Sequence, residues 1–249
     1  MDQQPPIPPS DLKLLGSWAD SHTHRVQLAL KLKGLPFQYQ EEDPLRPSAA
    51  LLLHNPVYEN LPVLLHRGCP VLHSTIILHF LDDTWPLHRL LLPSDPFDRA
   101  TARFWSHFAD DKLAPAVAAV FSSAGDGQRA AVDQVHQNLK LLERELGDGG
   151  AFAGRRFFGG DEIGFLDIVL GCGSYWLAVF EEVMEVKLVD PEAFPRFHAW
   201  LRDFEDQTEV KETIPAIDKL LEYARAVRQM MLGGGAAAAA AGGDNAATN

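Results

Sequence analysis

Short apolar runs alternate with helical stripes over the first third of the chain. Residues 12–16 form a brief apolar run. Val26, Leu28, Ala29, Leu30 and Leu32 then crowd residues 25–33 densely enough for a half-buried helix. Residues 37–42 alternate weakly, as a strand does, and residues 62–66 are short and apolar. The turn Arg67-Gly68 and a second short run ending at Leu72 read as a hairpin. Ser74 has the character of an N-cap, followed by Ile76, Ile77, Phe80 and Leu81 at helical spacing. The predicted order is β-α-β-α-β-β-α.

The pattern changes at Trp85-Pro86 and Leu92-Pro93-Ser94-Asp95-Pro96, where breakers cluster. Beyond them the periodicity is helical. Val132, Val135, Leu139, Leu142 and Leu146 step by three and four, as do Phe194, Phe197, Leu201 and Phe204, and Ile214, Ile217, Leu221 and Ala224. Gly149-Gly150, Gly159-Gly160 and Pro191 separate the helices, and no internal repeat is present. The predicted division is a flexible leader at 1–10, an α/β domain at 11–84, a linker at 85–95 and an all-helical domain at 96–232. The Gly/Ala-rich stretch 233–249 lacks the large apolar side chains that offset ordering entropy, and reads as a mobile tail.

With 249 residues, 46% of them hydrophobic, the chain can bury proper cores. A formal charge of -12 disfavours nucleic acid and anionic membrane as partners, since both reward a basic face. No apolar run reaches membrane-span length, and residues 1–10 resemble neither a signal peptide nor an anchor. Cys69 and Cys172 are the only cysteines, which fits a reducing compartment, and the cytoplasm is expected. The ten histidines show no ligand spacing, so no metal is expected.

The local text sharpens the picture. Leu12-Lys13-Leu14-Leu15-Gly16-Ser17-Trp18, Ala29-Leu30-Lys31-Leu32-Lys33-Gly34-Leu35-Pro36 and Asn55-Pro56-Val57 resemble the plant tau-class glutathione S-transferases. So do Leu91-Leu92-Pro93-Ser94-Asp95-Pro96, Ala102-Arg103-Phe104-Trp105, and Phe157-Phe158-Gly159-Gly160 with Ile163-Gly164-Phe165-Leu166-Asp167-Ile168. The resemblance implies a thioredoxin-like glutathione-binding domain followed by a helical acceptor-binding domain. It also implies a cis bond at Leu61-Pro62 and a buried helix-start box at Gly164 and Asp167.

The same resemblance assigns the site. Tau-class enzymes activate the thiol of glutathione with a serine hydroxyl after the first strand, and the matching position here is Asp20. An ionised carboxylate donates no hydrogen bond and repels a thiolate. The readings open at that point are that Asp20 or Ser21 caps the first helix, that Ser21 takes the catalytic role, that His22 donates instead, or that Asp20 is protonated. Asp20, Leu61, Pro62, His73 and Ser74 match the glutathione-binding positions. The lysines expected at the glycyl carboxylate are replaced by Pro47 and Asn60. Trp18, His22, Ala114, Ala118, Phe121 and Trp176 match the hydrophobic-acceptor positions, with small alanines implying a roomy cleft.

The implied function is conjugation of glutathione to hydrophobic electrophiles, of the detoxification type, with glutathione as co-substrate and no tightly bound cofactor. The alternative is a non-catalytic carrier of hydrophobic small molecules on the same fold. The implied assembly is a homodimer, or a heterodimer with relatives.

Overall fold

A computed structural model describes residues 11–242, with side chains through Met231. The leader read at 1–10 and the last seven residues of the tail lie outside the described residues.

Four strands, β1 (Leu12–Gly16), β2 (Gln38–Glu41), β3 (Val63–His66) and β4 (Cys69–Leu72), form one sheet in the order β2-β1-β3-β4. β1 pairs in parallel with β2, and antiparallel pairing joins β1 to β3 and β3 to β4. Successive strand residues face opposite sides of a sheet. Leu14 and Leu64 therefore enter the large core with α1 (Ser21–Leu32) and α3 (Ser74–Thr84), while their neighbours Leu15 and Val63 meet Leu51 of α2 (Ala49–His54) on the other side. Element for element this is the expected thioredoxin-like order. Gly16, the last residue of β1, leaves room for Thr23 of α1, whose Cγ2 would stand 2.2 Å from a Cβ at that position.

Ser74 is not the cap of α3. His73 occupies that position with φ 73°, in the region left-handed for L residues, and Ser74 is the first helical residue. The Ser74 hydroxyl accepts from Arg25 instead of capping.

The remainder is helical: α4 (Pro96–Phe108), α5 (Ala114–Ser122), α6 (Gly125–Leu146), α7 (Phe165–Gly171), α8 (Ser174–Met184), α9 (Pro195–Glu205), α10 (Thr208–Lys211) and α11 (Ile217–Gly242). The described backbone of α11 thus continues beyond residue 232. One π-helical turn, Ala109–Leu113, joins α4 to α5. The α6 stripe packs as its spacing requires, with Val135, Leu139, Leu142 and Leu146 buried. Asp167 is fully buried and its carboxylate accepts from the N–H groups of Phe158, Gly159 and Gly164 and from Trp200 Nε1, all at 2.8–2.9 Å. Gly159 has no room for a side chain, since a Cβ would meet Gly164 N at 2.7 Å.

Polar bonds tie the two regions together. Buried Lys33 donates to Asp82 Oδ1 and to the Arg89 carbonyl, each at 2.8 Å, and Asp82 receives the Leu91 and Leu92 N–H groups of the linker. Such a charge is tolerated in the interior because it is paired with a carboxylate and hydrogen-bonded to a backbone carbonyl. Arg25 reaches from α1 to the Val169 carbonyl on α7 and grips Asp110 of the π turn through both guanidinium nitrogens, at 2.7 and 3.3 Å. One apolar core runs through both regions.

Candidate functional site

The start of α1 is built by Asp20. Its extended backbone (φ -92°, ψ 116°) suits an N-cap, and its carboxylate collects the first free N–H groups of the helix. Oδ1 accepts from His22 N at 3.2 Å and lies 3.3 Å from His22 Nδ1. Oδ2 accepts from Thr23 N at 2.8 Å and from the Thr23 hydroxyl at 2.6 Å. Burial alone would raise this carboxyl, but the bonds and charge of His22 and the bonds of Thr23 outweigh it and hold Asp20 below the usual carboxylate range. Asp20 is thus the N-cap of α1, and its carboxylate acts there as an acceptor. The Thr23 hydroxyl in turn accepts from Ser17 N, so β1, its following loop and α1 are locked as one unit.

Two cavities flank this helix start. One, of about 440 Å³, is lined by Ser17, Asp20, His22, Asn60, Leu61 and Tyr223, with Glu59 also in its wall. The Leu61-Pro62 peptide is cis, as the resemblance implies, and brings Leu61 to this cavity. The other, of about 380 Å³, is largely apolar and enclosed by Ala114, Ala118, Phe121, Trp176 and Phe180, with Ser21 and His22 at its edge. An aromatic series connects the two: Phe121 stacks on Phe180 with centroids 4.5 Å apart, Phe180 meets Trp176 at 5.2 Å, Trp176 meets Tyr223 at 6.3 Å, and Tyr223 meets Trp18 edge-on at 5.5 Å.

The sequence-derived positions divide between these spaces. Asp20 and Leu61 line the polar cavity, while Pro62, joined to Leu61 by the cis bond, is buried and not part of its wall. Ser74 does not line it: the hydroxyl is buried against Arg25 Nη1 at 3.3 Å. His73 turns away too, its positive φ aiming the ring at Thr75 Oγ1 and into a separate cleft with His79 and Arg103. Pro47 is exposed, and Asn60 stands in the polar wall. Of the acceptor positions, His22, Ala114, Ala118, Phe121 and Trp176 line the apolar cavity. Trp18 does not, because Tyr223 packs on its edge and Lys219 Nζ sits 3.8 Å from its ring centre. Ser21 begins α1 and lines only the apolar cavity of the two.

Several contributors escape a reading of the sequence. Arg25, charged within an apolar stripe, was itself the available signal, because a buried guanidinium demands distant acceptors. Tyr223 and Glu59 carried no local signal. Behind α1, His24 Nδ1 is hydrogen-bonded to the Tyr175 hydroxyl; burial depresses the imidazole and raises the phenol. Burial also pushes the Cys172 thiol up to about 12, which leaves it inert, while Cys69 is exposed on the hairpin. Among the described residues, no three His, Cys, Asp or Glu side chains gather as a metal would require, and no helix is long and apolar enough to cross a membrane.

This arrangement matches known proteins along nearly its whole length. Residues 10–83 fit the profile of the glutathione S-transferase N-terminal domain, and residues 98–203 that of the C-terminal domain. "Glutathione transferase GST 23" of Zea mays is 43% identical over 221 residues, covering 89% of this chain and 97% of the relative. The structure of the tau-class glutathione S-transferase from mango, Mangifera indica, superposes with a TM-score of 0.83 at 38% identity, covering 88% of this chain and 99% of that one. Rice GST1, solved in complex with glutathione, gives 0.81 at 34% identity, covering 90% and 98%. The chain belongs to the glutathione S-transferase family, in its plant tau class.

Proposed function

We propose that the chain conjugates the thiolate of glutathione to hydrophobic electrophiles, with glutathione in the polar cavity beside Leu61 and the acceptor in the apolar cavity. The observation that carries this reading is the pair of adjoining cavities at the capped start of α1, the first of mixed character and the more polar of the two, the second apolar. A thiol held in the first need cross no barrier to meet a carbon held in the second, and such proximity is a large part of the catalysis. Glutathione is a co-substrate here, and the protein acts in the cytoplasm as a dimer. Ile76 of α3 and Phe104 of α4 are 56% and 64% exposed and offer apolar surface for that pairing. Calorimetric titration with glutathione, followed by a conjugation assay with a chlorinated nitroarene, tests the reading. Binding in the micromolar to low-millimolar range with measurable turnover supports it.

A second reading, carriage of hydrophobic molecules without glutathione, is favoured by one observation. Among the described residues lining the polar cavity, none is a lysine or arginine, while Asp20 and Glu59 are both acidic. Charge-assisted hydrogen bonds contribute roughly 1.5–3 kcal/mol each, so a tripeptide with two carboxylates binds weakly there. Absence of glutathione binding at several millimolar, with tight binding of an apolar dye, selects the carrier.

A further inference from the structure

The rim residues of the two cavities overlap at one place. Among the described residues His22 lines both, whereas Ser21 lines the apolar cavity and Asp20 the polar one. If glutathione occupies the first and its acceptor the second, the sulfur has to lie where the two meet. His22 is also the one residue lining the polar cavity that can carry positive charge.

We propose that His22 is the catalytic residue that ionises the glutathione thiol in this chain, and that Asp20 is its positioning residue. The inference rests on the transferase reading above. Asp20 can only accept, so its Oδ1, 3.3 Å from Nδ1, keeps the hydrogen on that nitrogen and leaves Nε2 as the base. The carboxylate is itself held by Thr23 through two further bonds, and the ring is therefore oriented by a group that is already fixed. The side chain of His22 is 46% exposed, open to an entering ligand, while that of Asp20 is 25% exposed.

The chemistry balances without any added reagent. The S–H bond breaks heterolytically, its proton passes to Nε2 and its electron pair stays on sulfur. The thiolate then forms an S–C bond with the electrophilic carbon as the leaving group departs with its bonding pair. The imidazolium returns its proton to that leaving group or to water. In the interval, the imidazolium and thiolate form an ion pair, with Asp20 behind it. The aspartate that replaces the tau-class serine thus repels a thiolate only when taken alone; with His22 in front of it, the pair as a whole favours the anion.

The charged and titratable groups around His22 are few. Glu59 and Tyr223 share its polar cavity, and Arg25 lies in the apolar wall with its charge committed to Asp110. Glu41 is engaged by Trp18 N and the Tyr39 hydroxyl, and Lys219 by the face of Trp18.

The test compares wild type, H22Q, D20N and S21A of the full chain in kcat/KM against pH for glutathione with a chlorinated nitroarene. Binding of S-methylglutathione, which has no thiol proton, is measured alongside by calorimetry. The expected result is a fall of about 10²-fold or more in H22Q. Its acid limb should move up to the free-thiol range near ~8.5, with S-methylglutathione still bound. D20N is expected to lose about tenfold and to shift the limb the same way, since an amide no longer fixes the ring tautomer. A wild-type limb that stays in place in H22Q while S-methylglutathione binds overturns the dyad and leaves the transferase reading standing. So does a limb that is removed by S21A instead. Failure of the wild type to bind S-methylglutathione overturns both.

Discussion

The indole N–H of Trp176 donates to the carbonyl oxygen of Ala19 at 3.1 Å, joining α8 to the loop that precedes α1. The same ring forms part of the apolar cavity wall. A residue of the helical domain therefore holds the backbone immediately before Asp20, and the geometry of the helix start depends on both domains.

Trp176→Phe keeps an aromatic ring in the wall but removes that donor. The expected cost is about 1 kcal/mol of stability. Amide exchange at Asp20–Thr23 should quicken while the sheet amides of β1 and β3 stay protected. Denaturant unfolding and hydrogen-exchange mass spectrometry read the two effects. Unchanged exchange at the helix start would show that Thr23 alone secures the loop.

Stability should fall as pH drops from about 7 to 5, and His24 should account for part of the slope. Burial lowers the folded-state value of its imidazole, so the unfolded chain binds the proton more readily. The contribution is full above the unfolded value near ~6.5 and is lost as pH falls below it toward the folded value. His24→Gln removes the titration and should flatten this part of the curve of unfolding free energy against pH. His66 and His79, also depressed by burial, leave a residual slope.

Asp167→Ala strands four donors, of which the Phe158 and Gly164 N–H groups and Trp200 Nε1 are buried. At about 1–3 kcal/mol for each unsatisfied group, the loss should exceed about 3 kcal/mol. The midpoint of urea unfolding measures it, and a loss below about 1 kcal/mol would mean water replaces the carboxylate.

Ala118→Phe places a ring in the apolar cavity from an exposed helix position, so the fold has no reason to suffer. KM for bulky acceptors should rise about tenfold or more, with glutathione affinity unchanged. Steady-state kinetics with a small and a large electrophile check this, and an equal effect on both would place the acceptor elsewhere.

Much of the architecture is legible in the sequence because it rests on periodicity. The stripe through Val135, Leu139, Leu142 and Leu146 can bury itself in only one way, and the breakers between Trp85 and Pro96 mark the change of domain. Capping by Asp20 was among the local readings, since its acceptors are satisfied within three residues. What distance controls was not legible. Ser74 reads as a cap, but Arg25, 49 residues away, claims its hydroxyl, and His73 takes the cap position in a backbone conformation that no propensity favours. Trp18 matches an acceptor position, but Tyr223 and Lys219 of the last helix cover it, and nothing near Trp18 announces them.

The π-helical turn at Ala109–Leu113 carries one residue more per turn than its neighbours, and it stands directly before the helix that supplies Ala114, Ala118 and Phe121. Such a wide turn absorbs an extra residue within about one revolution, so removing that residue would restore ordinary winding and leave Ala114, Ala118 and Phe121 facing the cavity much as before. The same deletion within the regular turns of α5 would rotate all that follows it by about 100°. A lineage can therefore lengthen or shorten the chain at this turn without replacing the wall, and the grip of Arg25 on Asp110 is the contact that selects against doing so.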